Sequence, residues 1–178
     1  RSVKVVDDKI FAGCYMDFGF WQSDEFGNLN YTSLISTLNI PLVEDETFWN
    51  IVTFETYVLF QSLDRIYIYN LQDTSYKIIE APSKRAVIFR VGNYIYFQKL
   101  NKGLFKIENG KSVLVSEQNI VKNQELVGAF LVEKTPLFIT EKGEFYFLKG
   151  KEFSKWNINA NSVLKSKIIY SSVQLSDG

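Results

Sequence analysis

The chain has 178 residues, of which 46% are hydrophobic and 16% aromatic, and its 20 basic and 20 acidic side chains cancel to zero net charge. This balance argues against the broad basic surface that binds nucleic acid, and no apolar run reaches the roughly 18 residues of a membrane span. Histidine is absent, which removes the commonest general base and transition-metal ligand. The single cysteine, Cys14, cannot form an internal disulfide, and its context KIFAGCY predicts an inert thiol at a buried strand position.

Four segments share one pattern, an apolar strand, a short polar turn and a second aromatic strand. They read KIFAGCYMDFGFWQSD from Lys9, YVLFQSLDRIYIYN from Tyr57, NYIYFQKLNKGLFKIENG from Asn93 and TPLFITEKGEFYFLKGK from Thr135. Alternating apolar residues on both sides of a short turn predict a β-hairpin. An apolar strand precedes the last three hairpins, at 48–54, 86–91 and 126–132. A more polar strand follows each of the four, at 29–34, 75–81, 112–117 and 152–157.

The repeating unit is therefore four antiparallel strands with a period of roughly 36 to 48 residues, as in a β-propeller blade. The tail IIYSSVQLSDG, residues 168–178, predicts the first strand of another blade and an Asp-Gly turn. We expect residues 1–178 to form one all-β domain, a β-propeller fragment truncated from a longer chain. It would hold about four four-stranded antiparallel blades plus the first strand of another.

Two connections between the predicted blades could hold helical structure. The longest, residues 34–47, contains Pro41, which argues against a helix through its middle. The connection at 119–125 has room for one helical turn.

A set of aromatic side chains is predicted to fill the layers between blades, because a blade buries its faces only against its neighbours. These residues are Trp49, Phe54, Phe60, Tyr67, Phe89, Tyr96, Phe105, Phe130, Phe138, Phe145 and Phe147.

Loops that share one face of the blades are the predicted binding rim. In a four-stranded blade the second-to-third turns lie on the same face as the links between blades, and ligand sites favour such loops on a rigid scaffold. The turns are at 15–18, 62–65, 99–103 and 141–143, and the links are at 35–47, 82–85, 118–124 and 158–165. The candidate ligand-binding residues are Asp17, Trp21, Asp64, Arg65 and Lys102. Ordinary solvated turn residues are the alternative interpretation for each of them.

The sequence predicts no catalytic residue, no metal site and no cofactor. Asp7-Asp8 and the Glu-Asp-Glu run at 44–46 could bind calcium, but neither has an EF-hand spacing, and solvated acidic turns are the favoured interpretation. Paired carboxylates also serve glycosidases, and no pair stands out. Phosphate-binding glycine loops, zinc spacings and nucleophile elbows are absent from the sequence.

Several repeat phrases are more specific than generic strands. The segments FAGCYMDFGFWQSDEFGNLNYTSL, FWNIVTFETYVLFQSLDRIYIYN, IYFQKLNKGLFKIENGK and IIYSSVQLSDG resemble the sensory propellers of Bacteroidetes-type two-component-regulator propeller proteins. That group includes proteins with a triple-tyrosine domain and a LuxR-type helix-turn-helix. The resemblance extends over essentially the whole chain, and it supplies no site motif that can be transferred to numbered residues.

The resemblance implies a non-catalytic, extracytoplasmic sensor region in the periplasm. It implies that a triple-tyrosine sandwich, a membrane span and a histidine kinase or DNA-binding output follow in the parent protein. Glycan fragments or other small molecules are the expected ligands, and a homodimer through the propeller is a further expectation. This segment itself is expected to contact neither nucleic acid nor membrane. Two alternatives stay open: a stand-alone protein–protein interaction propeller and, less favoured, a propeller glycosidase or lyase.

Overall fold

A computed structural model of the chain describes residues 1–175, which form four four-stranded antiparallel sheets, each built from consecutive strands. Sheet 1 contains β1 (Ser2–Val6), β2 (Lys9–Gly13), β3 (Phe18–Ser23) and β4 (Leu29–Ser33). Sheet 2 contains β5 (Asn50–Phe54), β6 (Tyr57–Gln61), β7 (Arg65–Asn70) and β8 (Tyr76–Glu80). Sheet 3 contains β9 (Ile88–Val91), β10 (Tyr94–Lys99), β11 (Gly103–Glu108) and β12 (Lys111–Ser116). Sheet 4 contains β13 (Leu126–Val132), β14 (Thr135–Thr140), β15 (Phe145–Lys149) and β16 (Glu152–Trp156).

Three short helices lie in the connections: α1 (Leu34–Leu38), α2 (Asn119–Asn123) and α3 (Asn161–Leu164). Helix α1 begins after Ser33, whose hydroxyl accepts the Ser36 N–H at 3.1 Å, and it ends at Asn39, which adopts a left-handed conformation. It therefore stops before Pro41, in accord with the sequence, and α2 confirms the helical turn expected at 119–125. None of the helices within residues 1–175 has the length and apolar character that a membrane crossing requires.

The predicted strand pattern is confirmed in all four sheets, and β1 is one strand that the sequence pattern does not predict. Strand β1 is short and mostly exposed, so its SVKVV sequence lacks the strong apolar signal of the other first strands. In the tail, residues 168–175 carry no strand ladder, although the Ile169 N–H donates to the Glu141 carbonyl at 2.8 Å. The predicted Asp-Gly turn lies outside the described residues.

The chain divides into two compact units, Arg1–Val87 and Ile88–Gly178, and each has its own aromatic core. In unit 1, sheets 1 and 2 pack through Phe18, whose ring centroid lies 4.2 Å from Phe60 and 4.7 Å from Phe48. In unit 2, sheets 3 and 4 pack through Phe138, whose ring centroid lies 5.5 Å from that of Tyr96 and 6.1 Å from that of Phe89. Each sheet thus buries one aromatic face against the next sheet in its unit.

Two predictions of burial are wrong. Trp49 is 47% exposed and its ring receives the Arg1 guanidinium at 5.1 Å, because its neighbour Phe48 takes the inward position. Cys14 is exposed in the turn after β2, where its backbone N–H donates to the Asp17 carbonyl at 2.8 Å. The strand that would have buried this thiol ends one residue earlier, at Gly13.

The other predicted core aromatics are buried or half-buried. Three of them, Phe130, Phe145 and Phe147, lie on the face of sheet 4 that is turned away from sheet 3. They pair in register with residues on that same side, such as Trp156 opposite Phe145. Sheet 3 packs against Phe138, on the other face of sheet 4. These three residues therefore do not fill the layer between sheets 3 and 4.

Candidate functional site

The second-to-third turns and the link between sheets do share a face in unit 1. The Met16 N–H in the first turn donates to the Glu46 carbonyl in the link at 2.8 Å, and Tyr15 forms an isolated antiparallel bridge with Thr47. The Tyr15 hydroxyl donates to Asp45 Oδ1 at 2.5 Å. The topological inference is therefore confirmed in this unit: the turn at 14–17 and the link at 43–47 form one layer.

The side chain of Glu46 connects this layer to sheet 2 through hydrogen bonds. The residue is 2% exposed, and its carboxylate accepts hydrogen bonds from the Ser62 hydroxyl at 2.5 Å, the Tyr67 hydroxyl at 2.7 Å and the Val43 N–H at 3.0 Å. Burial of the Tyr67 hydroxyl and its bond to Glu46 raise the pKa of Tyr67. The favoured interpretation of 44–46 as a wholly solvated acidic turn is thus wrong for Glu46, which is a buried acceptor. Within residues 1–175 no three acidic or cysteine side chains cluster as a metal site would require.

Asp17, a predicted ligand-binding residue, is held by sheet 1. Its carboxylate accepts the Ser33 hydroxyl at 2.7 Å and the Tyr31 hydroxyl at 3.1 Å. Burial of the Tyr31 ring, followed by the charge of Asp17, raises the pKa of Tyr31. Gly19 makes this approach possible, because a Cβ there would lie 2.9 Å from the Tyr31 hydroxyl and 2.1 Å from the Thr32 carbonyl oxygen. Asp17 thus has a structural partner on each oxygen.

Trp21 does not lie on the rim. It sits in the middle of β3, paired with Ile10 on one side and Tyr31 on the other, and its ring centroid is 5.1 Å from that of Tyr31. Because side chains alternate along a strand, Trp21 points to the face of sheet 1 opposite Phe20 and the core. The prediction that Trp21 lies on the rim is therefore wrong, because this tryptophan lies on the outer face of sheet 1.

Asp64 lies in the turn between β6 and β7, and Arg65 is the first residue of β7. Arg65 Nε bonds Glu80 Oε1 at 2.9 Å, and its Nη1 lies 3.5 Å from the Pro41 carbonyl oxygen in the link. A hydrogen bond with Tyr67, ahead of the charge of Glu80, raises the pKa of Arg65. Asp64 is exposed, and its backbone carbonyl accepts the Ala81 N–H at 2.7 Å. The structure thus gives Arg65 a role within unit 1 and leaves the Asp64 carboxylate at the surface.

Unit 2 repeats the arrangement with different residues. Gln98, at the end of β10, donates through Nε2 to the Val121 carbonyl at 3.0 Å and the Gln124 carbonyl at 2.9 Å. Its Oε1 accepts the Leu126 N–H at 2.7 Å, so one amide holds the link between sheets 3 and 4. Lys102, the remaining predicted residue, is exposed in the adjacent turn between β10 and β11.

A groove of about 420 Å³ opens on the opposite set of turns in unit 2. It is formed by the β9–β10 turn, the β13–β14 turn and the β15–β16 turn, together with the strand residues beside them. Its lining consists of Val91, Gly92, Asn93, Tyr94, Tyr96, Leu131, Lys134, Pro136, Leu148 and Gly150. None of the predicted site residues lies here, because the predicted rim is the other face of the blades.

The groove combines aromatic surface with one cation. Tyr94 is 49% exposed, and its ring centroid lies 6.1 Å from that of Tyr96. Lys134 is the one charged residue in the lining, and it follows Glu133 in a tight turn where both residues have left-handed φ values, 68° and 46°. Glycine and asparagine favour that conformation, so an exposed Glu-Lys pair there stores strain. The Lys106 ammonium lies 5.2 Å from the centroid of the Tyr94 ring and is paired with Glu108.

No protein-family model matches the chain, and no curated protein matches its sequence. Solved structures do. BamB from Moraxella catarrhalis superimposes with a TM-score of 0.65 at 9% identity, over 87% of this chain and 48% of its own. AztD from Citrobacter koseri gives 0.57 at 14% identity, over 87% of this chain and 44% of its own. Kluyveromyces lactis Hsv2 gives 0.52 at 10% identity, over 91% and 51%.

The fold is that of a β-propeller. The four sheets are its blades, in agreement with the repeat in the sequence. The chain spans about half the length of the solved propellers it matches. Identities this low establish the architecture alone, so function has to be argued from the side chains.

Proposed function

We propose that the chain is a non-catalytic ligand-binding segment of a β-propeller, and that the groove of unit 2 is its binding site. The observation that carries this proposal is the groove itself. Its volume falls in the range of about 300 to 1,000 Å³ that is usual for small-molecule sites, and its lining combines aromatic and aliphatic side chains with polar groups. Two of the predicted rim residues are less available to a ligand, because Asp17 and Arg65 already form hydrogen bonds with neighbouring protein groups.

The chemistry of the lining favours a glycan fragment, with an acidic sugar preferred. The exposed Tyr94 ring offers a flat amphipathic surface, on which the apolar face of a sugar stacks while its hydroxyls reach polar groups. Asn93 supplies such a group, and Lys134 supplies a positive charge without an acidic neighbour in the lining. A carboxylate or sulfate on the ligand would gain a charge-assisted hydrogen bond there.

The lining also argues for binding without turnover. A glycosidase needs two carboxyl groups roughly 5 to 10 Å apart on either side of the scissile bond. The ten lining residues include no aspartate or glutamate, and the sequence has no histidine to act as the base of a lyase. Incubation of a panel of oligosaccharides with the chain should therefore yield intact saccharide.

The wider role follows the resemblance of the repeat phrases: a periplasmic sensor region of a LuxR-type or two-component regulator. The groove suits such a role because sheets 3 and 4 both contribute to it, so an occupied groove links two blades. A ligand that binds one arrangement of these blades more tightly than another shifts the population toward it. Differential binding of this kind is what a downstream kinase or DNA-binding output would read.

Calorimetric titration of the chain with neutral and uronic-acid oligosaccharides tests the site. We expect Tyr94→Ala to abolish binding and Lys134→Gly to reduce it selectively for the acidic saccharides. Glycine accepts the left-handed φ of position 134, so this variant removes the charge without disturbing the turn. Tyr15→Ala, on the rim of unit 1, is the matched aromatic control. Binding that survives Tyr94→Ala but is lost in Tyr15→Ala would move the site to the rim and refute the groove.

Exposed apolar residues on the rim of unit 1 favour a second candidate function, the binding of a protein partner. Tyr15, Trp49 and Leu63 each keep more than a third of their surface exposed, and Tyr and Trp dominate the energetics of protein interfaces. Capture of one partner by the chain, lost with Trp49→Ala and retained with Tyr94→Ala, would support this role. Equal capture by both variants would contradict it.

A further inference from the structure

The face of unit 1 opposite the rim carries acidic turns. The turns at 14–17 and 62–65 both bond Glu46 in the link, so the other ends of β2, β3, β6 and β7 lie together on the opposite face. The turns at those ends are 7–8, 24–28, 55–56 and 71–75. They contain no lysine or arginine, and their acidic residues are Asp7, Asp8, Asp24, Glu25, Glu55 and Asp73. These four turns form what we call the acidic turn face.

The charge of this face is poorly compensated. Asp8 accepts the Gln22 side-chain amide at 2.6 Å, and Asp73 accepts the Ser75 hydroxyl at 2.6 Å. Both donors are neutral, so these bonds leave the carboxylates with their negative charge. The basic residues within two positions of the turns are Lys9 and Lys77, against six carboxylates. The face therefore has a negative potential that attracts cations.

The turn at 24–28 presents an aromatic ring on this face. Phe26 is 81% exposed. Asp24 holds the turn in shape: one carboxylate oxygen accepts the Phe26 N–H at 2.9 Å and the Asn28 N–H at 2.8 Å, and the other accepts the Asn30 amide at 3.2 Å. The Gly27 N–H donates to the Asp24 carbonyl at 3.1 Å. A ring on a turn fixed in this way loses little conformational freedom when a partner binds.

The combination of carboxylates and an exposed ring identifies the partner by its chemistry. The planar guanidinium of arginine stacks on aromatic rings and binds a carboxylate through two parallel hydrogen bonds. Glu25, which is exposed, stands next to Phe26 in the same turn. We propose that the acidic turn face binds an arginine-containing basic segment of a protein partner, with one arginine stacked on Phe26 and paired with Glu25. This site shares no residue with the groove of unit 2 or with the rim of unit 1.

Fluorescence anisotropy with a labelled arginine-rich peptide tests the proposal on the 178-residue chain. The same peptide with citrulline in place of arginine, which keeps the shape and loses the charge, should not bind. A lysine version should bind more weakly, because an ammonium lacks the planar fork. The affinity for the arginine peptide should fall at least about tenfold between roughly 20 and 300 mM salt, because exposed charges are screened.

Variants on the two faces of unit 1 localise the binding. Phe26→Ala should weaken it about tenfold, and Glu25→Gln about twofold to fivefold. Leu63→Ala and Glu44→Gln, on the rim, are the matched apolar and acidic controls and should bind as the parent chain does. Phe26→Leu keeps an apolar side chain without the ring, so it should bind the arginine and lysine peptides about equally.

Far-UV circular dichroism establishes that each variant is folded, and all four substituted side chains are exposed. Absence of binding by the parent chain at low salt overturns the proposal. Equal binding of the arginine and citrulline peptides, or equal losses in Phe26→Ala and Leu63→Ala, overturns it too. Tyr94→Ala, which tests the groove, should leave the binding of the peptide unchanged, so the two sites succeed or fail separately.

Discussion

The buried carboxylate of Glu46 offers the strongest test of how the link at 39–47 is held. Ser62, Tyr67 and the Val43 N–H all donate to it, and the two hydroxyl groups come from strand β7 and from the turn between β6 and β7. A hydrogen bond to a charged group contributes about 1.5 to 3 kcal/mol. The three together set an upper bound of about 4.5 to 9 kcal/mol, which water entering the truncated site would partly offset. We therefore expect Glu46→Ala to lower the free energy of unfolding by about 3 to 5 kcal/mol.

Urea denaturation followed by tryptophan fluorescence measures this loss, and amide hydrogen exchange over residues 39–67 localises it. Glu46→Gln keeps the volume and one carbonyl acceptor, so its cost should be smaller, about 1 to 2 kcal/mol. Glu44→Ala is the matched control in the same acidic run. Glu44 is exposed, so its substitution should change the free energy of unfolding by no more than about 0.5 kcal/mol. Equal effects of Glu46→Ala and Glu44→Ala would refute the buried acceptor and restore the solvated acidic turn.

Three further outcomes are expected. Gln98→Ala removes three hydrogen bonds to the link and should cost about 2 to 4 kcal/mol; hydrogen exchange at 119–126 that stays as slow as in the parent would contradict the clamp. The Lys155 ammonium, chiefly, lowers the pKa of Glu144 from its ordinary value of 4.5. The interaction of Glu144 with Lys155 therefore stabilises the folded chain above that pH, and this stabilisation is lost as the pH falls through the lowered pKa of Glu144. Below about pH 4.5 the melting temperature of the parent chain should decline more steeply than that of Glu144→Gln. Cys14 is exposed and should react with a thiol reagent at the rate of a free thiol before unfolding; reaction only after denaturation would place it in the core.

The sequence predicted the architecture because strand burial has a period of two that survives in the residue order. In IYFQKLNKGLFKIENG the alternation marks β10 and β11, and Asn109-Gly110 marks the tight turn that follows, where both residues adopt left-handed φ values of 53° and 73°. Adjacent aromatics are a harder case. Phe48 and Trp49 are both large aromatic residues, so their types alone do not predict which of them is buried. Only the pairing of the following strand decides that Phe48 faces inward.

The candidate site was less predictable for two physical reasons. Glu46 looks like the two acids before it, and its burial depends on Ser62 and Tyr67, which lie 16 and 21 residues further along the chain. The second reason is that the strand topology predicts which loops share a face of the blades, but it does not predict where a cavity lies between neighbouring sheets. The groove beside Tyr94 and Lys134 is such a space, and its Glu-Lys turn lacks the Asn-Gly signal that would have drawn attention to it.

The two faces of the blades differ in what their loops do. On the face predicted as the rim, Glu46 in unit 1 and Gln98 in unit 2 each bind a link with several hydrogen bonds, so substitution there acts first on the packing of neighbouring sheets. On the opposite face of unit 2, the turn at Glu133 and Lys134 is strained and the adjoining groove is open. A binding function is therefore more readily carried by the groove face, where ligand contacts can change without loss of the links that hold the blades together.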